Sequence, residues 1–436
     1  MSRAQPFDFI GVGLGPSNLS LAALADTVGG LRPAFFEQRS QVEWHDGMLL
    51  PRSELQVSYL KDLVTLVDPT NPHSFLNFLA ETGRLHRFLV VSGERVTRRE
   101  FTQYYRWVAR RLPSVSFGSA VREVRYAPDS GFRVRVDGAE HRAPVLVLGT
   151  GRRPRVPAVA RPALGRDVLH SADFLRRRPA TAGRRVVVVG GGQSGAELVA
   201  HLLEDRSELP ASLTWTSRRH AFVPLDDSPF ANEWFNPRYV EYFRTLPAQR
   251  RHELVALQCY ASDGISADLL ARIYRRLYEL DYVDRRTIRH RLLLAHELID
   301  VVSHPDAYDV VVRNADTGGP EVLEADVVIL ATGYEAAIPE FVAPLLPALD
   351  VPLDDGLDEA YRVPWDGAPG HAVHIQNGGR LSHGVADANL SLASWRAATI
   401  LNAICGRPVL RTERGTSALA LDLEPPAPAE AEEMLL

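Results

Sequence analysis

Cysteine is almost absent from this chain of 436 residues, which contains only Cys259 and Cys405. The two lie far apart and form no Cys-x-x-Cys pair, which argues against a disulfide framework and against a dithiol relay. The sequence also has no long apolar run before the first strand pattern at residue 7. We therefore expect a cytoplasmic protein with neither a signal peptide nor a membrane span.

The chain also has no large excess of charge of either sign. The net charge is −5 and arginine clusters such as residues 176–178 are short, so no nucleic-acid partner is expected. Hydrophobic residues make up 45% of the chain, which is ample for two or three domains at this length. From residue 412 the pattern changes to alanine, proline and glutamate, which cannot form a core, so residues 412–436 are predicted to be a disordered tail. No metal site is predicted.

The sequence does contain two glycine-rich loops, and the first follows the apolar strand pattern of residues 7–12. Glycine at positions 13 and 15 lets the backbone turn sharply and offer its amides to a pyrophosphate. Asn18 stands where a third glycine is usual, and its side chain would bond either a phosphate or the loop backbone. Glu37 ends the next apolar run, at the spacing of a carboxylate that binds a ribose hydroxyl. The loop is predicted to bind FAD through Gly13, Gly15, Pro16, Ser17, Asn18 and Glu37.

The second loop follows four valines and keeps glycine at positions 190, 192 and 195. After the next strand pattern the chain has Ser217-Arg218-Arg219, where an NAD site would have an acid. A cationic group there suits the ribose phosphate of NADPH, which is favoured over NADH. The residues predicted to bind NADPH are Gly190, Gly192, Gln193, Ser194, Gly195, Glu197, Ser217, Arg218 and Arg219.

Two dinucleotide loops in one chain are typical of enzymes that pass a hydride from a nicotinamide to a flavin. Buried-strand runs at residues 145–151 and 327–333, each ending in a small-residue turn, repeat the same architecture in both halves. The predicted fold class is therefore α/β, with two Rossmann-like dinucleotide-binding domains and a small helical insertion. We place the FAD domain at residues 1–177 and 335–411, the NADPH domain at 178–222 and 283–334, and the substrate-binding insertion at 223–282.

The insertion has a different texture from its surroundings. Residues 227–237 are rich in turn formers and aromatics, and residues 267–278 have the pattern of an amphipathic helix, with Leu270, Ile273, Tyr274 and Leu277 on one side. Such a segment is either a small substrate domain or a helical embellishment that only packs.

In its motifs the chain resembles the flavin-dependent N-hydroxylating monooxygenases of siderophore biosynthesis, and most of all their lysine branch. The resemblance covers nearly the whole chain up to the tail. It rests on residues 8–19, 44–48, 55–63, 68–72 and 190–197, on Ala331-Thr332-Gly333-Tyr334, and on Ser382-His383-Gly384. In that family asparagine is the ordinary residue at the position of Asn18.

The resemblance implies FAD and NADPH as cofactors, and dioxygen and a small-molecule amine as substrates. The amine has to be neutral because its lone pair attacks oxygen. With a pKa of about 10.4 it is protonated at neutral pH, so the pocket must disfavour the charge by desolvation or by nearby cations. By the same resemblance, the residues that approach the cofactors are Trp44, His45, Gln56, Thr332, Tyr334 and His383.

The resemblance assigns Lys61 and Asn232 to the substrate carboxylate, with Gln56 nearby. A cation in an otherwise apolar segment needs a counter-ion, and a substrate carboxylate would supply one. The alternative is that Lys61 pairs with a protein acid, either Glu54 or Asp68.

Asp263 lies in the segment that distinguishes substrates in the family. Its carboxylate would pair with the α-ammonium of lysine or with the far ammonium of a diamine. An equally good interpretation is that Asp263-Gly264 only forms a turn before the helix. Ser391 is assigned to the substrate through the C-terminal segment that, by resemblance, returns to the flavin.

Four functions stay open. They are N-hydroxylation of the lysine ε-amine, of a diamine such as cadaverine or putrescine, or of ornithine, and a non-catalytic redox sensor. Lys61 favours lysine, because a diamine has no carboxylate to meet it. We expect a homo-oligomer.

Overall fold

The computed structural model describes residues 5–91, 93, 95–204, 207–284, 288–348, 356–412 and 416–421. Two parallel five-stranded sheets organise these residues, one for each glycine loop. The α/β class predicted from the sequence is confirmed, and the sheets agree with a Rossmann-like arrangement.

The first part of the chain forms the first sheet and the helices around it. Its elements are β1 (Phe9–Val12), α1 (Pro16–Asp26), β2 (Pro33–Phe36), α2 (Phe75–Glu81), α3 (Leu85–Val91), α4 (Arg98–Ala109), β3 (Val115–Ser116), β4 (Val121–Ala127), β5 (Gly131–Val136), β6 (Ala139–Ala143), β7 (Val145–Leu148) and β8 (Arg153–Pro154).

The middle of the chain carries the second sheet and the insertion. Its elements are β9 (Val168–His170), α5 (Phe174–Arg177), β10 (Arg185–Val189), α6 (Gln193–Glu204), β11 (Ser212–Thr216), α7 (Pro229–Asn232), α8 (Pro237–Thr245), α9 (Ala248–Leu257), α10 (Tyr260–Asp263), α11 (Ala267–Tyr282) and β12 (Arg289–Leu293).

The last part of the chain completes both sheets. It contains β13 (His296–Ser303), β14 (Tyr308–Asn314), β15 (Pro320–Ala325), β16 (Val327–Leu330), β17 (Tyr334–Glu335), β18 (Ala372–Ile375), α12 (Arg380–His383) and α13 (Ala393–Cys405). Short 3₁₀ helices lie at Asp46–Met48, Ala158–Ala163, Ser171–Asp173, Glu233–Phe235, Glu340–Ala348 and Leu390–Leu392.

The first sheet has the strand order β18-β7-β1-β2-β3, and its pairs are parallel. β1 and β7 are apolar and buried along their whole length, as expected of parallel strands covered on both faces. α1 packs against α13 on this sheet. A separate antiparallel sheet of β4, β5 and β6 completes this unit.

The second sheet has the order β12-β11-β10-β16-β9, and β10 with its four valines lies at its centre. A second antiparallel sheet, made of β13, β14 and β15, packs beside it. β17 pairs with β8, so the chain crosses between the two units twice at one place.

One predicted domain boundary is wrong in detail. Residues 1–177 were placed in the first domain, but β9 pairs with β16 in the second sheet, with Val168 opposite Val328. β9 has three residues, too few for a periodic pattern to show in the sequence. The second unit therefore begins before residue 168.

The helices of the insertion join the two units instead of forming a core of their own. Phe235, Val240 and Ala261 belong to the hydrophobic core of the first unit. α11 packs against α6 and buries Leu269, Ile273, Leu277 and Leu280 in the core of the second. The predicted helix is present, but its buried face is offset from the predicted one, because Tyr274 is 77% exposed.

Part of the segment predicted to be disordered is in contact with the insertion. Asn236 donates a hydrogen bond to the carbonyl of Thr416 (2.9 Å), and the hydroxyl of Ser417 donates to the carboxylate of Glu233 (2.8 Å). An unstructured tail from residue 412 thus does not describe residues 416–421. Residues 413–415 and 422–436 of that prediction lie outside the described residues.

The helices in the described ranges are each too short or too polar to cross a membrane.

Gly47 marks a close backbone approach between the 3₁₀ turn at Asp46–Met48 and the turn that follows β9. A Cβ atom at this position would lie 1.7 Å from the carbonyl oxygen of Ala172, in the turn that follows β9. We expect Gly47→Ala to lower the free energy of unfolding by about 1–3 kcal/mol through overpacking. Thermal unfolding measures the effect.

Gly29→Ala is the matched control, because a Cβ atom there meets no atom within 4 Å. If both variants unfold like the wild type, the close contact at Gly47 does not exist in solution.

Candidate active site

A cavity of about 1200 Å³ lies between the two units, and both glycine loops open onto it. Its walls also carry the ends of β1, β2 and β10, the turns after β7, β11 and β16, and the start of α13. The predicted residues that line it are Gly13, Gly15, Pro16, Ser17, Glu37, Trp44, His45, Gly190, Gly192, Gln193, Ser194, Ser217, Arg218, Arg219, Asp263, Thr332 and Tyr334.

The first loop has the backbone conformation that its glycines predict. Gly13 has φ +82°, and a Cβ atom there would lie 2.8 Å from the carbonyl oxygen of Gly149. The carboxylate of Glu37 accepts hydrogen bonds from the amides of Leu14 (2.7 Å) and Arg39 (2.9 Å). Glu37 thus holds the loop in place while it lines the cavity, and its remaining lone pairs are available to ribose hydroxyls.

Asn18 does not line the cavity, although it was predicted to bind the cofactor. Its side-chain amide donates to the carbonyl of Gly13 (2.8 Å), and the side chain is fully buried. The sequence left a phosphate and the loop backbone open as the partner of Asn18, and the structure shows that the partner is the loop backbone.

The second loop is held equally tightly. Gly190 has φ +133°, and a Cβ atom there would lie 2.1 Å from the carbonyl oxygen of Ala331. The indole of Trp215 donates to the carbonyl of Gly190 (2.9 Å). Gly195 lies behind the loop, where a Cβ atom would lie 2.1 Å from the same carbonyl oxygen. Gly195 therefore shapes the loop and does not line the cavity.

The two arginines that follow β11 differ in their contacts. Arg219 is used by the protein, since it donates to the carbonyls of Asp263 (3.0 Å) and Gly191 (3.4 Å). Arg218 is exposed on the cavity wall, and its guanidinium has no hydrogen-bond or ion-pair partner among the described residues. Arg218 is therefore the free cation of this pair.

Aromatic side chains from both units meet on the cavity wall. His45 has φ +53° and lies 5.1 Å from Trp44 and 5.9 Å from Tyr334, measured between ring centroids. The side chain of His45 is exposed to the open cavity, although protein atoms crowd the imidazole from several sides. Burial, helped by the charge of Arg98, lowers the pKa of His45 to about 4. The ring is therefore neutral at pH 7.

A buried polar junction connects the two units and the insertion. The carbonyl oxygen of the Gln193 side chain accepts from the side chain of Gln56 (3.3 Å) and from the backbone amide of Ser266 (2.9 Å). The Gln193 amide donates to Glu197 (2.9 Å), which forms a buried ion pair with Arg98. Gln56 and Glu197 lie at this junction and not on the cavity wall, so Gln193 is the member that faces the cofactor side.

Lys61 is the one lysine of the chain. Of its 49 lysine and arginine residues, the other 48 are arginines. Its ammonium is partly buried and has no ion-pair partner among the described residues, and burial lowers its pKa. The acids considered as partners are engaged otherwise or exposed: Asp68 accepts from Thr70 and Asn71, and Glu54 is on the surface. Lys61 itself lies outside the cavity lining.

The side chains of the other predicted substrate residues form hydrogen bonds with other groups of the protein. Asn232 is exposed at the end of α7 and donates to the carbonyl of Asp227 (2.9 Å). Asp263 lines the cavity, but one carboxylate oxygen accepts from Arg380 (3.3 Å) and the other from Ser262 (3.0 Å). Ser391 is buried outside the lining and donates to Asn389 (2.8 Å).

His383, predicted to approach the flavin, lies outside the cavity lining. Its ring stacks on Tyr361 with centroids 3.8 Å apart. Arg244 can only donate, so Nε2 of His383 accepts from it (3.1 Å) and Nδ1–H donates to Ser382 (2.8 Å). Burial and the charge of Arg244 hold the pKa of His383 well below its ordinary value. The neutral histidine is part of the core behind the cavity.

Sequence reasoning missed most of the cations on the cavity wall. Eight arginines line it, which suits the phosphates of two dinucleotides. With the two glycine loops and the size of the cavity, they fit FAD and NADPH. No local motif marks most of them, because they come from distant parts of the chain. They are Arg39, Arg152, Arg155, Arg176, Arg218, Arg219, Arg380 and Arg396.

Three comparisons agree with this geometry. The sequence profile of the family described as L-lysine 6-monooxygenase/L-ornithine 5-monooxygenase matches residues 5–336. The chain is similar to the L-lysine N6-monooxygenase of Escherichia coli, with 37% identity over 403 residues, which are 92% of this chain and 95% of that protein.

Two solved structures are also similar. A cadaverine monooxygenase of the desferrioxamine pathway from Erwinia amylovora, bound to FAD, matches with a TM-score of 0.89 and 31% identity, over 97% of this chain and all of that chain. An ornithine N-hydroxylase from Kutzneria sp. 744, with reduced FAD, NADP⁺ and L-ornithine, matches with a TM-score of 0.86 and 30% identity, over 92% of this chain and 99% of that chain.

The free guanidinium of Arg218 predicts how the chain tells NADPH from NADH. Arg218→Ala should raise the KM for NADPH about tenfold or more and leave the KM for NADH nearly unchanged, because a charge-assisted hydrogen bond to phosphate is worth roughly 1.5–3 kcal/mol. Steady-state oxidation of both cofactors measures this.

Arg99→Ala is the control, since Arg99 is an exposed arginine of α4 away from the cavity. An equal loss with NADPH and NADH in Arg218→Ala would show that Arg218 does not contact the ribose phosphate.

Proposed function

Because this chain belongs to the L-lysine 6-monooxygenase/L-ornithine 5-monooxygenase family, we propose that it hydroxylates the ε-amine of L-lysine. It is a flavin-dependent N-hydroxylating monooxygenase of siderophore biosynthesis that uses FAD and NADPH. That membership sets aside the redox sensor considered from the sequence. The choice of lysine as the amine is the proposal.

Each glycine loop is assigned one cofactor. The loop at residues 13–18 with Glu37 would hold FAD, and the loop at residues 190–195 with Arg218 would hold NADPH. Bound together, the two supply the electrons that activate dioxygen for transfer of one oxygen atom to the amine. The protein would bind and orient these groups, and a reacting centre held away from bulk water would favour transfer of oxygen to the amine.

Lys61 is the observation that favours an amino acid over a diamine, and the similarity to the Escherichia coli L-lysine N6-monooxygenase favours lysine over ornithine. A partly buried ammonium without a protein counter-ion favours an anionic ligand, because the pair recovers part of the desolvation cost. The α-carboxylate of lysine supplies that anion, whereas cadaverine and putrescine have none. Lys61 is five residues beyond Gln56, which contacts Gln193 on the cavity wall. The carboxylate would lie at Lys61 and the reacting amine towards the cavity.

The cavity also suits a neutral amine. Eight arginines and six acids line its wall, so cations are in slight excess there. A guanidinium beside the reacting amine would disfavour the ammonium and lower the pKa of that amine, whereas the neutral ring of His45 adds no charge of either sign.

A diamine is the second candidate, and the position of Asp263 favours it. This carboxylate lines the cavity, where it would meet the far ammonium of cadaverine. Arg380 and Ser262 already donate to it, which weakens that interaction. The similar Erwinia enzyme is a cadaverine monooxygenase. Ornithine stays a further alternative on the evidence of the Kutzneria relative.

We also propose a homo-oligomer, as predicted from the sequence. α11 exposes Tyr274, Tyr278 and Tyr282 along one face, which is apolar surface that a second subunit would cover. Light scattering of the purified protein measures the mass.

If Lys61 binds the substrate carboxylate, its replacement should affect the KM for amino acids and not the KM for diamines. The wild type should form hydroxylamine from L-lysine, and Lys61→Met should raise the KM for lysine about tenfold or more with little change for cadaverine. The measurement is NADPH oxidation with lysine, ornithine, cadaverine and putrescine, with hydroxylamine and peroxide quantified together.

Lys61→Arg is the matched variant, because it keeps the charge. It should retain more of the lysine activity than Lys61→Met does. Product formed mainly from a diamine would overturn the assignment to lysine, and equal effects of Lys61→Met on lysine and cadaverine would overturn the role of Lys61.

The single lysine also permits a direct titration. Reductive methylation with ¹³C-formaldehyde should give one side-chain signal, identified by its loss in Lys61→Met, with a midpoint below the ordinary lysine pKa of about 10.4. Because a nearby anion favours the ammonium, L-lysine should raise this pKa and cadaverine should not. The affinity for lysine therefore falls as the pH rises through the lowered pKa.

An unchanged signal on addition of L-lysine would place the substrate carboxylate elsewhere.

A further inference from the structure

Asn18 is connected to a buried ion pair more than 350 residues away in the sequence. Its side-chain oxygen accepts a hydrogen bond from Gln376 (2.6 Å). The side-chain oxygen of Gln376 in turn accepts from Nε of Arg396 (3.3 Å), and Arg396 pairs with Asp387 (3.0 Å). We call Asn18, Gln376, Arg396 and Asp387 the Arg396 relay.

The relay has one direction of donation. An arginine side chain can only donate, so Gln376 must turn its oxygen towards Arg396 and its NH₂ towards Asn18. Asn18 must then turn its oxygen towards Gln376 and its NH₂ towards the carbonyl of Gly13 (2.8 Å). Arg396 thus fixes the orientation of two amides and, through them, holds a carbonyl of the first glycine loop.

Arg396 also reaches the loop directly. Its second terminal nitrogen donates to the hydroxyl of Ser17 (2.9 Å) and to the side-chain oxygen of Asn377 (2.9 Å), a residue with φ +61°. Ser17, Asn377 and Arg396 all line the cavity. The side chains of Arg396 and Asp387 are 1% and 0% exposed, so the pair lies in the core and one end of it faces the cavity.

The space around Asn18 allows little else. The backbone of Gly149 runs so close that a Cβ atom there would lie 2.3 Å from the side-chain nitrogen of Asn18. A glycine at position 18 would leave this space empty and would leave the buried NH₂ of Gln376 without its acceptor, which is costly. Asparagine in place of the third glycine is therefore part of the relay.

We propose that Arg396 is a positioning residue for FAD: through the Arg396 relay and Ser17 it fixes the first glycine loop in the conformation that presents its amides to the cofactor. The inference rests on the assignment of FAD to this loop in the proposed function.

Asn18→Gly tests the inference sharply, because it restores the common three-glycine pattern. We expect it to weaken FAD binding about tenfold, as does Gln376→Met, which cannot link Asn18 to Arg396. The double variant should be no more than about threefold worse than the weaker-binding single variant, because either change already breaks the relay. FAD released on serial dilution of the holoenzyme, detected by its fluorescence, gives the affinities.

The affinity for NADP⁺ separates positioning from general loss of structure. The relay leads to the first loop only, so NADP⁺ binding should stay within about twofold of wild type in all three variants. Arg276→Lys is the matched control, since Arg276 forms an ion pair of low exposure with Asp284 (2.8 Å) in the second unit. It should leave FAD release unchanged.

Two results would overturn the inference alone. The first is an FAD affinity of Asn18→Gly equal to that of the wild type. The second is an FAD affinity of the double variant that is lower by about a hundredfold, the product of the two single losses. Weakened NADP⁺ binding with unchanged FAD release would instead overturn the assignment of FAD to the first loop, and the inference with it.

Discussion

The buried ion pair between Arg98 and Glu197 joins the two dinucleotide-binding units, and the arrangement of the site depends on it. Arg98 begins α4 of the first unit and Glu197 lies in α6 of the second. Glu197 also holds Gln193, whose side chain contacts Gln56 and the insertion at Ser266. A nicotinamide and a flavin, each held by one loop, can exchange a hydride only if both loops face a common space. The junction supplies that geometry, and because removal of one partner leaves a buried charge, the pair constrains the units strongly.

The family and the fold class could be predicted from sequence, because their signals are local. A glycine loop directly after a run of valines needs no knowledge of the rest of the chain, and β1 and β10 lie at the centres of their sheets as such runs imply. Features made by distant residues could not be predicted. β9 has three residues and is recognisable only beside β16, and Arg396 sits in an ordinary helical pattern whose partners are Ser17, Gln376 and Asp387. Several predicted site residues, such as His383 and Asn18, support the cavity from behind instead of lining it.

Lysine content gave a signal that pattern reasoning overlooked. A chain that uses arginine at 48 of 49 basic positions has one lysine, and this lysine is partly buried and without a counter-ion among the described residues. An ammonium is a compact, mobile charge, whereas a guanidinium is broad and planar. If Lys61 binds a carboxylate and the arginines of the cavity wall bind phosphates, as proposed, each ligand meets the type of cation that suits it.

The insertion lacks a core of its own, since Phe235 and Val240 belong to the first unit and Ile273 and Leu277 to the second. It therefore cannot be treated as an exchangeable cassette. A graft of residues 223–282 from a relative with another amine preference would bring side chains that were fitted to two foreign cores at once. Engineering of specificity in this scaffold is better directed at single side chains that face the substrate, with the packing residues of the insertion left as they are.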